Sequence, residues 1–214
     1  MTPSQEDYLK TIYNENLKGN KITNKFISDM MNVSAPSVSE MMNKLIEAKL
    51  LRKDRVLGFA LTDEGIAKTQ VLLKKHRLWE VFLINHLGYT WDEVHEDADV
   101  LEHVTSNQLL DRLNIFLGKP QYCPHGKVIY GNGIEESFSK AEKLVSVDKG
   151  FEGYIHIIDD DKELLQYLAK KKVKINEKFT VADIDNFDST IILKINERLV
   201  SISPVAAESI YVRR

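Results

Sequence analysis

The chain has 214 residues, with 29 Lys and Arg, 32 Asp and Glu and one cysteine, for a net charge of −3. This ordinary globular composition excludes disordered and collagen-like chains, and a single cysteine excludes a disulfide framework or a four-cysteine zinc site. The first residues lack a signal-peptide pattern and no apolar run reaches the ~18 residues of a membrane span, so we expect a soluble cytoplasmic protein. Residues 63–120 carry the acidic excess (6 basic, 10 acidic), whereas residues 1–62 carry 9 basic and 7 acidic. The net charge therefore does not exclude nucleic-acid binding by the first sixty residues.

Residues 1–63 predict three short helices followed by a β-hairpin. Thr2 and Thr23 are expected helix N-caps, and a third helix is expected from about residue 35. Two short helices joined by a tight turn, then a basic hairpin over residues 50–62, are typical of a winged helix-turn-helix. The expected DNA contacts are Ser37, Ser39, Asn43 and Lys44 on the third helix, and Arg52, Lys53 and Arg55 on the wing. A merely solvated basic hairpin is the alternative for the wing.

The rest of the chain predicts a helical segment, a linker and a small β-domain. Residues 64–120 are helical in pattern, and the apolar run 78–84 has more apolar residues than one buried face needs, which favours packing on a second subunit. Residues 121–150 are the expected linker. Residues 151–214 contain four short strand patterns and one helix, as in an SH3-like β-barrel. The predicted fold class is mainly α with a small β-domain.

Residues 95–103 contain the densest group of metal-ligand side chains. Asp99, Glu102 and His103 stand at i, i+3 and i+4 of a predicted helix, so they share one face, with His95 a further turn back. Carboxylates and imidazoles at this spacing suit a first-row divalent metal such as Mn, Fe, Co or Zn. A solvated acidic helix face is the alternative that the spacing leaves open.

Two further groups contain possible metal ligands. His76 and Glu80 stand at i and i+4, a spacing that also occurs in ordinary surface pairs. Cys123 and His125 lie two residues apart in a Cys-Pro-His-Gly loop, where a soft and a borderline ligand are held close together. The sequence has no Gly-rich phosphate loop, no His-Glu-x-x-His motif and no nucleophile elbow, so a sensor of metal ions is favoured over an enzyme.

In combination these motifs resemble the diphtheria toxin repressor family of metal-dependent transcriptional regulators, over essentially the whole chain. The resemblance rests on the serine-rich segment 34–41, the segment 61–65, the segment 94–98 with Glu102-His103, and the small C-terminal β-domain. The Cys-Pro-His-Gly loop makes the chain most similar to the three-domain manganese transport regulators of Gram-positive cocci. The resemblance implies a homodimeric repressor that binds double-stranded operator DNA when Mn(II) is bound and controls metal-uptake genes, with no membrane or small-molecule substrate. An iron- or zinc-responsive regulator and a metal-dependent phosphoesterase with a DNA-binding domain remain the alternatives.

The family resemblance also implies domain bounds and metal ligands. The expected domains are a winged helix-turn-helix at 1–63, a dimerisation and metal-binding domain at 64–120, the linker at 121–150 and a FeoA-like domain at 151–214. One metal site would use Asp7, His76, Asp99, Glu102 and His103. A second would use Glu80, Cys123 and His125, with His95 possible, and a carboxylate of the β-domain run Asp159–Asp161, of which Asp160 is preferred. The iron-sensing branch has Met and Cys in place of Asp7 and Asp99, so oxygen ligands there favour manganese. Direct and water-mediated ligation by Asp99 are both open.

Overall fold

The computed structural model describes residues 1–133 and 141–214. It divides into two compact units by its contacts. The first unit contains Met1–His76 and Glu102–Thr105, and the second contains Arg77–Leu101 and Ser106–Arg214. Two helices, Asp63–Leu87 and Val94–Val104, contribute residues to both units. Within the described residues, no helix is long and apolar enough to cross a membrane.

Three capped helices begin the first unit: α1 (Pro3–Leu17), α2 (Asn24–Met31) and α3 (Ala35–Glu47). As predicted, Thr2 caps α1, in a reciprocal capping box with Gln5, and Thr23 caps α2. The turn between α2 and α3 contains Asn32 in the left-handed conformation, and Ser34 then caps α3. Short polar side chains are favoured at these positions because they accept the hydrogen bonds of the first free backbone N–H groups. The helix-turn-helix is therefore determined by local chemistry.

The core of the first unit joins these helices to the wing. Leu9, Ile12, Ile27 and Leu45 are fully buried, and each such side chain contributes roughly 1.5–3 kcal/mol of hydrophobic stabilisation. The wing is an antiparallel pair, β1 (Leu51–Asp54) and β2 (Gly58–Leu61). Its turn requires glycine at residue 58, where φ is +74° and an added Cβ would lie 2.2 Å from the Ile22 carbonyl oxygen.

Three helices follow the wing: α4 (Asp63–Leu87), α5 (Val94–Val104) and α6 (Asn107–Phe116). In the second unit, Leu78 and Val81 of α4 pack with Leu110 and Leu113 of α6 and with Ile129. A further cluster joins Leu83, Val94 and Ala98. The buried residues of the run 78–84 therefore pack within the chain. The exposed apolar side chains of these helices are other residues, including Leu87, Val100, Ile115 and Phe116.

The C-terminal part of the second unit is a six-stranded antiparallel sheet with two short helices. Its elements are β3 (Glu142–Lys143), a 3-10 turn (Leu144–Ser146), β4 (Glu152–Ile158), α7 (Lys162–Lys170), β5 (Lys178–Ile184), β6 (Ile191–Ile195), β7 (Arg198–Ile202), α8 (Pro204–Ala207) and β8 (Ile210–Arg213). The strand order is β3-β8-β4-β5-β6-β7. Inward residues such as Ile155, Leu165, Phe179 and Leu193 form one core. The sheet thus includes β3, which lies inside the segment expected to be a linker. Residues 134–140 of that segment lie outside the described residues.

Candidate metal centres and DNA-binding surface

The first cluster consists of Asp7, His76, Glu102 and His103, all in the first unit. Helix α1 supplies Asp7, α4 supplies His76, and α5 supplies Glu102 and His103. His103 Nε2 lies 3.1 Å from Asp7 Oδ1 and 3.7 Å from Glu102 Oε1. His76 Nδ1 lies 2.6 Å from Glu102 Oε2. The structure thus brings together residues that are up to 96 positions apart in the sequence.

His103 is oriented by a residue outside the predicted set. Its Nδ1 donates to the Glu6 carboxylate at 2.6 Å, which turns Nε2 towards Asp7 and Glu102. A histidine that binds a metal usually donates its other ring nitrogen to such an acceptor, which fixes the tautomer and the ring orientation. Glu6 therefore performs for His103 the role that an outer carboxylate performs in known metal sites.

A lysine also lies in the first cluster. Lys10 Nζ is 2.7 Å from Glu102 Oε1, and the Glu102 side chain is fully buried. Burial raises the pKa of Asp7 above the ordinary carboxyl value, and this rise is opposed by the nearby charges of His103 and Lys10. The negative charge of the carboxylates in this cluster is therefore balanced in part by the ammonium group of Lys10.

The donor set of the first cluster fits a divalent cation. Ligand atoms of Asp7, Glu102 and His103 all lie within 4.8 Å of one another. Two ligands at right angles, each about 2.2 Å from a metal, would be about 3.1 Å apart, and opposite ligands about 4.4 Å. The observed separations fall near this range before any adjustment of the side chains. Asp99 lies on α5 and is exposed, but it belongs to the second unit, so its part in this cluster remains a prediction.

The second cluster consists of Glu80, His95, Cys123, His125 and Asp160, all in the second unit. His125 Nδ1 lies 3.1 Å from Glu80 Oε1 and 3.5 Å from Asp160 Oδ1. His95 Nε2 lies 3.5 Å and 3.4 Å from the same two oxygens. Ligand atoms of Glu80, Cys123 and His125 lie within 4.8 Å of one another, and all three side chains are buried. The structure therefore brings all five predicted residues of this cluster together.

The loop around Cys123 is held by its own backbone. The Cys123 N–H donates to the Lys127 carbonyl at 2.8 Å, and the Gly126 N–H donates to the Cys123 carbonyl at 3.0 Å. His125 Nε2 lies 2.9 Å from the Trp91 carbonyl, to which it donates, so Nδ1 is turned towards Glu80 and Asp160. His125 therefore shows the same two-sided arrangement as His103.

Charge is balanced in the second cluster by protons and by Lys127. Burial disfavours a charged imidazole, but the Glu80 carboxylate and hydrogen bonds to Cys123 and Glu80 raise the pKa of His125 to about 12. Burial and the Glu80 charge raise the pKa of the Cys123 thiol. Burial acts against ionisation of Asp160, yet Lys127 and His95 hold its pKa well below the ordinary value. Protonated groups and Lys127 thus balance the negative charge of this cluster.

The expected DNA-binding residues lie on the surface of α3 and the wing. Ser37, Asn43 and Lys44 are exposed on α3, and Lys44 forms an ion pair with Glu40 at 2.6 Å. Ser39 is different because it is half-buried: its Oγ donates to the Ala35 carbonyl and accepts from Asn24. These two hydrogen bonds fix the Ser39 side chain within the helix-turn-helix.

The three basic residues of the wing are exposed. Arg52 lies 2.8 Å from Asp54, whose other oxygen accepts the backbone N–H groups of Val56 and Leu57. Asp54 therefore closes the turn, and Arg52, Lys53 and Arg55 remain at the surface.

Sequence reasoning missed three charged residues that the structure places at the clusters: Glu6, Lys10 and Lys127. Lys127 forms an ion pair with Asp160 through Oδ2. A weak signal existed for Lys10, which follows Asp7 by three residues and so shares its helix face. Nothing in the sequence paired Glu6 with His103 or Lys127 with Asp160.

Three family sequence models match the chain. Residues 1–57 match the iron-dependent repressor N-terminal DNA-binding domain, residues 62–131 match the iron-dependent repressor metal-binding and dimerisation domain, and residues 142–214 match the FeoA domain. The solved structure of the manganese regulator SloR is 38% identical, covers 100% of both chains and has a TM-score of 0.84. The chain belongs to the diphtheria toxin repressor family of iron-dependent repressors. The predictions of family and fold class are therefore confirmed.

Two further relatives place this family member among transcription regulators. A manganese-dependent transcriptional repressor, solved in complex with manganese, is 33% identical over 98% of this chain and 99% of its own, with a TM-score of 0.89. An uncharacterised HTH-type transcriptional regulator of Methanocaldococcus jannaschii is 34% identical over 122 residues, which are 56% of this chain and 96% of the relative. Members of this family are metal-dependent DNA-binding regulators and not enzymes.

Proposed function

We propose that this protein is a homodimeric transcriptional repressor that binds the operators of metal-uptake genes when it holds Mn(II). The carrying observation is the orientation of two histidines. In His103 and in His125, one ring nitrogen is bound by an outer acceptor and the other faces carboxylate oxygens. Once the proton on the ring nitrogen that faces the carboxylates is released, this arrangement offers an imidazole lone pair together with carboxylate oxygens, which is the donor set of a divalent metal site.

The oxygen ligands of the first site support manganese. We assign this site to Asp7, His76, Asp99, Glu102 and His103, a set that offers only carboxylates and imidazoles. Hard oxygen donors suit Mn(II), and two proteins of similar structure are the manganese regulator SloR and a manganese-dependent transcriptional repressor solved with manganese. The second site, assigned to Glu80, His95, Cys123, His125 and Asp160, includes a thiol. A thiolate prefers softer cations, so Fe(II) or Zn(II) at this site is the second candidate.

The two sites have different relations to the predicted domains. Helix α1, which carries Asp7, lies in the segment matching the DNA-binding domain, and Glu102 lies in the segment matching the metal-binding and dimerisation domain. Asp7 and Glu102 holding one cation would therefore join residues 1–63 to residues 64–120. His125 follows the helical segment and Asp160 lies in residues 151–214, so the second site would join the FeoA-like domain to the helical domain.

Such a connection would control DNA binding through the dimer. A helix-turn-helix dimer reads two half-sites about 34 Å apart, so the positions of its two recognition helices govern affinity. Moving a protein from about 1% to 99% in the binding-competent state requires that metal favour that state by roughly 10⁴-fold. We assign base contacts to Ser37, Ser39, Asn43 and Lys44 and phosphate contacts to Arg52, Lys53 and Arg55.

Exposed apolar side chains support the dimer. Leu87 is 58% exposed, Val100 65%, Ile115 66% and Phe116 64%, and all four lie within the segment that matches the dimerisation domain. Exposed apolar side chains that form a contiguous patch mark interaction surfaces in soluble proteins. A second copy of the chain is the partner that the family match supports.

A gel shift with a metal-uptake promoter and controlled free metal tests the proposal. We expect tight binding with Mn(II), weaker binding with Fe(II) or Zn(II), and loss of the complex on chelation. Equal binding with and without the chelator would contradict metal activation, and preference for Zn(II) or Fe(II) would favour the second candidate.

The substitution Asp7→Ala tests the connection made by the first site. It removes one ligand from α1, so we expect Mn(II) to raise DNA affinity little above the level of chelated wild type, while the dimer persists on size-exclusion chromatography. Asp148→Asn, an exposed residue of the second unit, is the charge-matched control and should behave as wild type. If Asp7→Ala responds to Mn(II) normally, Asp7 is not a ligand that controls DNA binding.

A further inference from the structure

The lysine within the first cluster is bound to the carboxylate oxygen that a cation would need. Lys10 Nζ lies 2.7 Å from Glu102 Oε1, and this same oxygen lies 3.7 Å from His103 Nε2. The other oxygen of Glu102 lies 2.6 Å from His76 Nδ1. The Glu102 side chain is fully buried, and buried carboxylates require a compensating charge. In the structure, Lys10 supplies that charge.

An ammonium group and a divalent cation compete for such an oxygen. A cation held by Asp7, Glu102 and His103 would lie within a few ångströms of Nζ in its present position. Like charges at that distance repel strongly, and more so away from bulk water. The Lys10 side chain is 20% exposed, so its ammonium has access to solvent, and a lysine stem can extend its charge outwards while remaining packed. Lys10 can therefore leave Glu102 without unfolding α1.

The lysine of the second cluster has a different geometry. Lys127 contacts Asp160 through Oδ2, whereas His95 and His125 face Oδ1 at 3.4 and 3.5 Å. Lys127 thus leaves the histidine-facing oxygen available and orients it. Lys10 instead binds the oxygen of Glu102 that faces His103. Lys127 therefore supports a candidate metal ligand, Asp160, whereas Lys10 occupies the position that a metal ion would take beside Glu102.

We propose that Lys10 is the tethered counter-ion of the metal-free protein and must leave Glu102 when a divalent cation binds the first cluster. This inference rests on the proposed function, because it assumes that the first cluster is a metal site. Its consequence is that Lys10 weakens metal binding and thereby raises the free metal concentration at which the site fills. Lys10 is thus a residue that sets the sensitivity of the site without being a ligand.

The test is Lys10→Gln, which keeps a hydrogen-bond donor near Glu102 but removes the charge. Mn(II) binding is measured from the loss of the free Mn(II) signal in electron paramagnetic resonance, in a Glu80→Gln background that disables the second cluster. We expect the dissociation constant for Mn(II) to fall at least tenfold. Lys10→Arg keeps the cation and should bind Mn(II) no more tightly than the parent.

The control is Lys68→Gln, which removes an exposed lysine of the first unit that pairs with Glu64 at 3.0 Å. It changes the net charge equally, so it should leave the dissociation constant unchanged. Thermal unfolding of the metal-free proteins gives a second measurement: Lys10→Gln should melt at a lower temperature than Lys68→Gln, because Glu102 loses its counter-charge.

Several outcomes would overturn the proposal. If Lys10→Gln binds Mn(II) equally or more weakly, Lys10 supports Glu102 in the metal-bound state and is not a competitor. If Lys68→Gln tightens binding as much as Lys10→Gln, the effect is general electrostatics. If neither the wild-type protein nor the Glu80→Gln parent binds Mn(II), Fe(II) or Zn(II), the proposed function fails together with this inference. If both bind metal and Lys10→Gln leaves the affinity unaltered, this inference alone fails.

Discussion

Gly126 controls the loop that carries two ligands of the second cluster, and replacing it with alanine should remove that cluster. Its φ is +84°, in the left-handed region, and a Cβ added there would lie 2.0 Å from the His156 carbonyl oxygen in β4. Non-bonded heavy atoms prefer separations of about 3.5–4.0 Å, so the loop or the strand would have to move by more than 1 Å. The Ile158 N–H, which donates to the His125 carbonyl at 3.1 Å, would lose its partner in such a movement.

A second glycine of this unit isolates the clash from the backbone strain. Gly118 has φ +73° and no atom within 4 Å of an added Cβ. Gly118→Ala therefore carries only the left-handed penalty of about 1–2 kcal/mol, partly offset by the lower entropy of the unfolded chain. Gly126→Ala adds the clash and the lost hydrogen bond, for a total of about 3–5 kcal/mol.

Calorimetry and metal titration measure the two consequences. For a chain of this size, each kcal/mol of destabilisation lowers the melting temperature by about 2–4 °C. Gly126→Ala should therefore lower the melting temperature by about 6–20 °C, and Gly118→Ala by about 2–8 °C or less. Gly126→Ala should also lose one bound metal per chain while Gly118→Ala keeps both. Equal melting temperatures, or two metals bound by Gly126→Ala, would refute the reasoning about this loop.

Two further predictions concern the second cluster. Cys123→Ser removes the soft ligand, so metal should no longer protect the segment 142–214 from proteolysis; unchanged protection would make Cys123 a structural thiol. Lys127→Met frees Asp160 Oδ2 from its ion pair, and metal affinity at this cluster should fall about 10–100-fold, as for other outer residues that orient ligands. Lys149→Met is its control, because it breaks an exposed pair with Asp183 in the same unit and should not change metal binding. Tighter binding by Lys127→Met would mean that Lys127, like Lys10, competes with the metal.

Local signals were enough to predict the helix-turn-helix. The caps Thr2, Thr23 and Ser34 act within one helical turn, so their effect depends on neighbours that are fixed by the sequence. The same holds for the grouping of Glu102 with His103 on α5 and of Cys123 with His125 in one loop. These features need only the geometry of a helix or a short turn.

Packing partners could not be read in the same way. In the run 78–84, Leu78, Val81 and Leu83 are buried against α5, α6 and the loop near Ile129, and the packing of this run on a second subunit stays a prediction. The two-residue strand β3 has no pattern of its own and exists because it pairs with β8, near the end of the chain. Burial depends on which distant segment covers a residue, and a periodic pattern does not identify that segment.

The sequence by itself determined the helix-turn-helix, the mainly α fold with a small β-domain, and the residue types of the two clusters of candidate metal ligands, because each depends on local spacing or on motifs that resemble a known family. Only the tertiary structure decided which of these residues meet and what surrounds them. It placed Asp7 3.1 Å from His103, Glu6 on the far nitrogen of the same ring, and Lys10 on the oxygen of Glu102. The physical reason is that the charge around a buried carboxylate depends on side chains brought from separate helices, and their positions follow from the packing of the whole unit.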